Sequence, residues 1–318
     1  MSKSIKVFLD SAGTFRERDI LKKFYNGIPE EIYSKEYDIS SCYTPCDVAV
    51  ILGSWKPKER DHHIIRNSVA VESNNFIVIE TPLLGRKVHS DNDQFRIGIN
   101  GFLNSHGIFT NQVDHSDSRL KSLGIEWYGW KNNPNGHILL MLQLPGDASL
   151  RGIDIYTWAN ETIRELRRIT DREIRIRIHP QHRIKDNDIF YKMVLDLFTE
   201  KIANIVISDG KDTPLSHDFQ DAYCSIAYTS GSSIDSIIAG IPCIACDPGN
   251  FAFDISTQFI SEINSLKLVD HLTVYSWLKK LSFCQWSIEE MENGTAFRHL
   301  IPMLVELESK NRHEKKRK

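Results

Sequence analysis

The sequence predicts an α/β protein built from two Rossmann-like, doubly wound halves, and three observations carry that expectation. Short apolar runs alternate with stretches of helical period, the pattern of parallel strands buried on both faces and wrapped by helices. The alternation occurs twice, with a segment rich in Gly, Asn, Asp and Ser, residues 80–134, between the two series. In the second series the apolar runs end in turns of small, hydroxyl and basic residues, where open α/β sheets bind ligands.

Taken in order, residues 6–10 read as the first strand, 14–27 as an amphipathic helix, 48–52 as a strand, 59–73 as a helix and 76–79 as a wholly apolar strand. The irregular segment 80–134 follows, of a kind that carries function or connects domains. The second series places strands at 137–144, 173–178, 203–208, 225–228 and 242–245, with helices at 156–170, 188–201 and 234–239. The last of these helices stops at Gly240, and Pro242 bars its continuation. Further helices are expected at 271–281, 288–293 and 296–309. The expected domain limits are 1–134, 135–290, a terminal helix over 291–310 and a basic tail over 311–318.

Composition narrows the class. At 318 residues, with 41% hydrophobic and 25% charged residues, the chain has an average globular composition and room for two domains. A net charge of -3 argues against a surface coated in basic residues for nucleic acid, although the tail NRHEKKRK is a local basic patch that reads equally as a solubilising terminus. No apolar run approaches the ~18 residues of a membrane span, and no signal-peptide core is visible, so a cytoplasmic protein without a membrane partner is expected. Six scattered cysteines (42, 46, 224, 243, 246 and 284) suit reduced core thiols. Cys42 and Cys46 with Cys243 and Cys246 have the letters of a zinc site, but the second pair brackets a buried strand, so no metal is expected.

Three loops of the second half carry anion-binding chemistry. After the strand at 225–228 come Thr229, Ser230, Gly231, Ser232 and Ser233, small residues that let backbone amides approach an anion at the start of a helix, with Asp235 in its first turn. After the first strand of the series come Gly146, Ser149 and Arg151, whose glycine frees the backbone and whose guanidinium grips phosphate oxygens in pairs. After the second comes His179-Pro180. Each is also compatible with an ordinary capped turn, and their convergence is what favours a site.

The spacing of Asp235 five positions before Gly240, after a small-residue turn, resembles the donor-binding half of GT-B glycosyltransferases, where the acidic residue holds the ribose and is usually glutamate. The His-Pro pair resembles the motif with which capsule-sugar transferases, some sialyltransferases and teichoic-acid polymerases hold a nucleotide phosphate. Over residues 6–304, segments such as DSAGTFRERDILKKFYNGI, FIVIETPLLGR, LQLPGDASLRGIDI and LSFCQWSIEE resemble phage-encoded glycosyltransferases, among them enzymes that add a sugar to hydroxymethylated cytosine in DNA, the arabinosyltransferases included. The resemblance implies a GT-B fold with its two halves facing across a cleft, a nucleotide-sugar donor, a uridine diphosphate sugar in the first instance, and 5-hydroxymethylcytosine in phage DNA as acceptor partner. It implies no further cofactor.

Direct displacement at an anomeric carbon needs a base for the acceptor proton and donors for the departing diphosphate. Arg151, His179 and the amides around Ser230 suit the second role. For the base, Glu80 and Asp10 end strands of the first half and Asp93 lies in the irregular segment; capping of the following turn is the alternative for the first two. Arg16, Arg18, Arg86, Lys87 and Arg96 are candidates for acceptor phosphates, with Phe15 and Trp55 as stacking partners for an extruded base. Four alternatives remain open: a metal-dependent GT-A enzyme using Asp91-Asn92-Asp93, a surface-polysaccharide transferase, a nucleotide-sugar epimerase, and a non-catalytic two-lobed binding protein.

Overall fold

A computed structural model describes residues 3–9, 14–38, 42–55, 62–87, 92–111, 117–182 and 187–315. The chain forms two compact units, one of residues 1–102, 106–124 and 278–318, the other of 103–105 and 125–277.

In the first unit, β1 (Lys3–Phe8), β2 (Tyr33–Asp38), β3 (Val48–Leu52) and β4 (Phe76–Glu80) form the parallel part of a six-stranded sheet. Two strands extend its β4 edge antiparallel to their neighbours, β5 (Gln94–Ile99) and β11 (Gln285–Ser287), giving the order β11-β5-β4-β3-β1-β2. The strand order reverses between β1 and β3, the switch point of this sheet.

Three strands of this sheet lie outside the sequence expectation, for identifiable reasons, and of these β11 has only three residues, too few to show a period. β2, YSKEYD, is a polar edge strand with little buried surface to set a period. β5, QFRIGI, falls within the segment expected to be irregular, and its alternate burial emerges only once β4 is beside it. The sheet is accordingly mixed, where sequence pattern pointed to parallel strands alone.

Helix α1 (Phe15–Asn26) begins at a capping box, Thr14 accepting from the Glu17 N–H while the Glu17 carboxylate accepts from Thr14 N–H. Its inner face, Ile20, Leu21 and Phe24, joins the sheet in one core with Phe297 and Leu300 of α10 (Thr295–Lys315). Helix α2 (His62–Glu72) and the short α3 (Ser118–Ser122) complete this part, with α9 (Ile288–Glu292) against α1. A side chain at Gly27 would put Cβ 1.9 Å from the Met291 carbonyl oxygen, so the end of α1 meets the end of α9 only because residue 27 is glycine.

The second unit is a five-stranded, wholly parallel sheet: β6 (His137–Met141), β7 (Ile174–Ile178), β8 (Ile205–Asp209), β9 (Ala222–Ala227) and β10 (Cys243–Ala245), in the order β10-β9-β6-β7-β8. Helices α4 (Ile155–Arg167) and α5 (Asn187–Thr199) bury Ile163, Leu166, Phe190 and Met193 on it. The short α6 (Leu215–Asp218) and α7 (Ser232–Ile238) follow β8 and lead from β9 to β10. The chain returns to the first unit within α8 (His271–Ser282). The order reverses between β6 and β9, so their carboxyl ends flank the switch point where sheets of this kind open to ligands.

Candidate active site

At the switch point of the second unit one side chain ties the two strand ends together. Gln143, just past β6, donates from Nε2 to Ser149 Oγ at 2.7 Å and to Thr229 Oγ1 at 3.1 Å, while its Oε1 accepts the Thr229 N–H at 2.9 Å. Gln143 and Thr229 are buried, so these bonds satisfy groups that would otherwise be costly to desolvate.

The loop after β6 is built around Asp147, which caps a single 3-10 turn (Ala148–Leu150) by accepting from the N–H and hydroxyl of Ser149 at 2.8 and 2.6 Å. Gly146 and Gly152, at φ 70° and 89°, bracket this turn in the left-handed region with nothing within 4 Å of an added Cβ. Arg151 shares that region at φ 50° and forms an ion pair with Asp247, which follows β10. The other Asp247 oxygen accepts the Gly249 N–H at 2.7 Å. Burial, then the Asp247 carboxylate, pushes the Tyr228 hydroxyl above its ordinary value.

The Ser/Gly turn leads into α7 through Gly231, which carries no side-chain cap. Ser230 and Ser232 hydroxyls lie 2.6 Å apart. Ser233 is fully buried and donates to the Ser230 carbonyl and Asn250 Oδ1, so its hydroxyl fixes the turn. Asn250 in turn donates to the Tyr228 carbonyl at 3.1 Å. Asp235 occupies the first turn of α7, partly exposed.

His179 ends β7, beside β6, and its Nδ1 accepts the Gln181 N–H at 3.1 Å, which puts the proton of the neutral ring on Nε2. The turn is tight: a Cβ at Gly210 would sit 2.3 Å from the Ile178 carbonyl oxygen. The structure thus ties Ser149 to Thr229, the residue before Ser230, through Gln143 and through the Thr229 hydroxyl, which donates to the Ser149 carbonyl at 3.2 Å, pairs Arg151 with Asp247, and places His179 on the neighbouring strand end. Sequence reasoning missed Gln143, Tyr228, Thr229, Asp247 and Asn250 as the ties between loops. The one available signal was Gln143, a polar residue interrupting the apolar run HILLMLQL.

In the first unit, Glu80 ends β4 with Oε1 accepting from Ser54 N–H at 2.6 Å and Oε2 from its neighbour Thr81 at 3.1 Å. Asp93 is exposed and paired with Lys87 Nζ at 3.0 Å. Arg16 donates to the Asn92 carbonyl at 2.7 Å, and Asn92 Oδ1 accepts the Lys87 N–H, so Arg16, Lys87 and Asp93 form one cluster. Arg86 and Arg18 are exposed and Arg96 is partly buried in β5.

Phe15 is 88% exposed. Trp55 instead packs edge-to-face between Phe76 and Phe102, at 5.3 and 5.1 Å, which places it in a hydrophobic cluster. Asp10 and Asp91 lie outside the described residues. Arg66 of α2, unremarked in the sequence, packs over Gly53 at the end of β3 and lies 3.6 Å from Glu17.

Among the described residues no group of three or more His, Cys, Asp or Glu is arranged to hold a metal ion. Burial pushes the Cys243 thiol up to about 12 and raises Cys224 as well, as for reduced core cysteines. No helix among the described residues is long and apolar enough to cross a membrane.

No family model and no curated protein matches the chain. Among solved structures, it is similar to Thermosulfurimonas dismutans KpsC, a beta Kdo 2,7 transferase, at 13% identity and TM-score 0.51, over 92% of this chain and 99% of that one. Lower similarity is found to a Thermobaculum terrenum O-GlcNAc transferase mutant (11% identity, TM-score 0.40, 96% and 67% of the two chains) and to the pneumococcal O-GlcNAc transferase GtfA in complex with UDP and GlcNAc (10% identity, TM-score 0.30, 58% and 35%). The likeness to KpsC shows the fold, GT-B, with two Rossmann-like units.

Proposed function

We propose that this protein is a GT-B glycosyltransferase that moves a sugar from a nucleotide-sugar, a uridine diphosphate sugar in the first instance, to an acceptor hydroxyl without a metal. The observation that carries this reading is the joining of the β6 and β9 loops by Gln143 at the switch point of the second unit. There Arg151, Ser149 and the amides around Ser230 would receive the diphosphate, His179 would donate from Nε2 to the same group, and Asp235 would meet the ribose. In the first unit Glu80, held by two N–H donors, is the base in this reading, ahead of Asp10 and Asp93.

For the acceptor we propose 5-hydroxymethylcytosine in phage DNA, supported by the resemblance of segments spanning residues 6–304 to enzymes of that kind. Host cytoplasm is the location that goes with it. Arg16, Arg18, Arg86, Lys87 and Arg96 would then meet phosphates and Phe15 the extruded base. A second reading, a surface-polysaccharide transferase, is favoured by the likeness to KpsC across nearly all of that chain.

Incubating the protein with uridine diphosphate sugars and DNA containing 5-hydroxymethylcytosine, followed by mass analysis of nucleosides, tests the first reading. Sugar on the modified cytosine supports it. Nucleotide release with glycan acceptors and none with DNA moves the assignment to the second, and no transfer to any acceptor removes the enzymatic reading.

A further inference from the structure

The guanidinium of Arg151 is engaged by Asp247, whose carboxylate is held from the other side by the Gly249 N–H and whose side chain is only 10% exposed. Arg151 takes this position at a cost, because φ 50° crowds the Cβ of any residue but glycine, and its neighbour Gly152 shows that the loop does use glycine for the same hand. A turn that served shape alone would be better filled by glycine at both positions, so the side chain of Arg151 is what the strain is kept for. The segments that follow β6 and β10 otherwise carry only acidic charges, Asp147, Asp154, Asp247 and Asp254, and the first turn of α7 after β9 adds Asp235. Tyr228, whose hydroxyl interacts with both Asp247 and Arg151, is braced by Trp158 at 5.6 Å.

We infer that Asp247 is a built-in competitor for the donor phosphate: Arg151 exchanges Asp247 for phosphate when nucleotide binds and returns to it when nucleotide leaves. The inference rests on the reading above that Arg151 holds phosphate. A fixed carboxylate lowers the affinity of the site for an anion by occupying the guanidinium, which must be released before it can hold phosphate. The consequence is faster loss of the product nucleotide, a step that often limits turnover.

The test is titration of uridine diphosphate into the full chain with chelator present, for the wild type, Asp247→Asn, Arg151→Ala and the double variant. Asparagine keeps the shape and the acceptor for Gly249 while removing the charge. Asp247→Asn is expected to bind uridine diphosphate at least ~10-fold more tightly, through slower dissociation, with uridine itself bound as in the wild type. In the Arg151→Ala background the same change should alter affinity by less than ~3-fold. Asp247→Ser, read alongside, separates loss of charge from any local misfit of asparagine. Unchanged or weaker uridine diphosphate binding in both Asp247 variants overturns the exchange, and so does equal tightening in both backgrounds. A wild type that binds no uridine diphosphate overturns the nucleotide site itself, and the exchange with it.

Discussion

Glu80 and Arg96 stand opposite one another in register across the antiparallel β4–β5 ladder, and both Glu80 oxygens accept backbone N–H groups. The ladder and the Ser54 turn together fix where the carboxylate sits at the end of β4. Glu80→Gln, which keeps the shape and one of the two accepting oxygens and removes the charge, is expected to lower sugar transfer at least ~100-fold while nucleotide binding stays near wild type and the melting temperature falls only slightly. Retained transfer with a lowered melting temperature would make Glu80 a turn cap and no base.

Arg151→Ala and His179→Ala should each weaken nucleotide binding by about tenfold or more, because each removes a charged or polarised donor to phosphate. Both residues lie beyond strand ends, at or near the surface, so unfolding midpoints should move little. Calorimetric titration with uridine diphosphate, in the presence of chelator, provides the measurement. Wild-type affinity in both variants would remove the phosphate assignment, and binding lost on chelation in the wild type would point to a metal-dependent site.

Gln143→Met deletes the amide that joins the β6 and β9 loops and leaves the buried Thr229 N–H without its acceptor. The expected cost is about 1–3 kcal/mol, the penalty for one buried unsatisfied donor. It should appear in chemical denaturation as an earlier transition of the second unit, with the first unit unaffected. A variant as stable as wild type would show that the amide tie is dispensable.

Gly27→Ala tests packing in the first unit. Its backbone is right-handed helical, φ -78°, so alanine meets no conformational penalty, only the Met291 carbonyl. Overpacking of this kind costs about 1–3 kcal/mol, in contrast with the slight stabilisation that Gly→Ala brings at an open site. Thermal melting of the variant distinguishes the two signs.

Two histidines, the buried His137 and the half-buried His299, set an acid limit on stability. Burial lowers His137, with Arg175 adding to it, and burial lowers His299, with Arg119 adding to it, both from the ordinary 6.5. Above pH 6.5 both rings are neutral whether the chain is folded or not, and their contribution to stability is fully present. As pH falls below 6.5 the unfolded chain takes up protons that the folded chain refuses, so stability declines through the lowered folded values and then levels. His299→Gln should flatten this decline for the first unit, and His137→Gln for the second, in denaturant titrations at a series of pH values.

What the sequence by itself determined is the alternation of buried strands and helices in the second unit, since strands covered on both faces announce themselves as apolar runs such as HILLM and helix α7 is ended by Gly240 and Pro242. The turns that hold Gly146, Ser149, Arg151 and Ser230 were legible for the same reason: turns at strand ends are local in sequence. Tertiary structure alone decided what depends on pairing across distance. β2, β5 and β11 are strands because of their neighbours, and Trp55 joins a cluster with Phe76 and Phe102 that no spacing predicts. Gln143 reaches Thr229 and Arg151 reaches Asp247 only because the sheet order β10-β9-β6 sets side by side strands that are 80 to 100 residues apart in the chain, and hydrogen bonds of that range leave no periodic trace in the sequence.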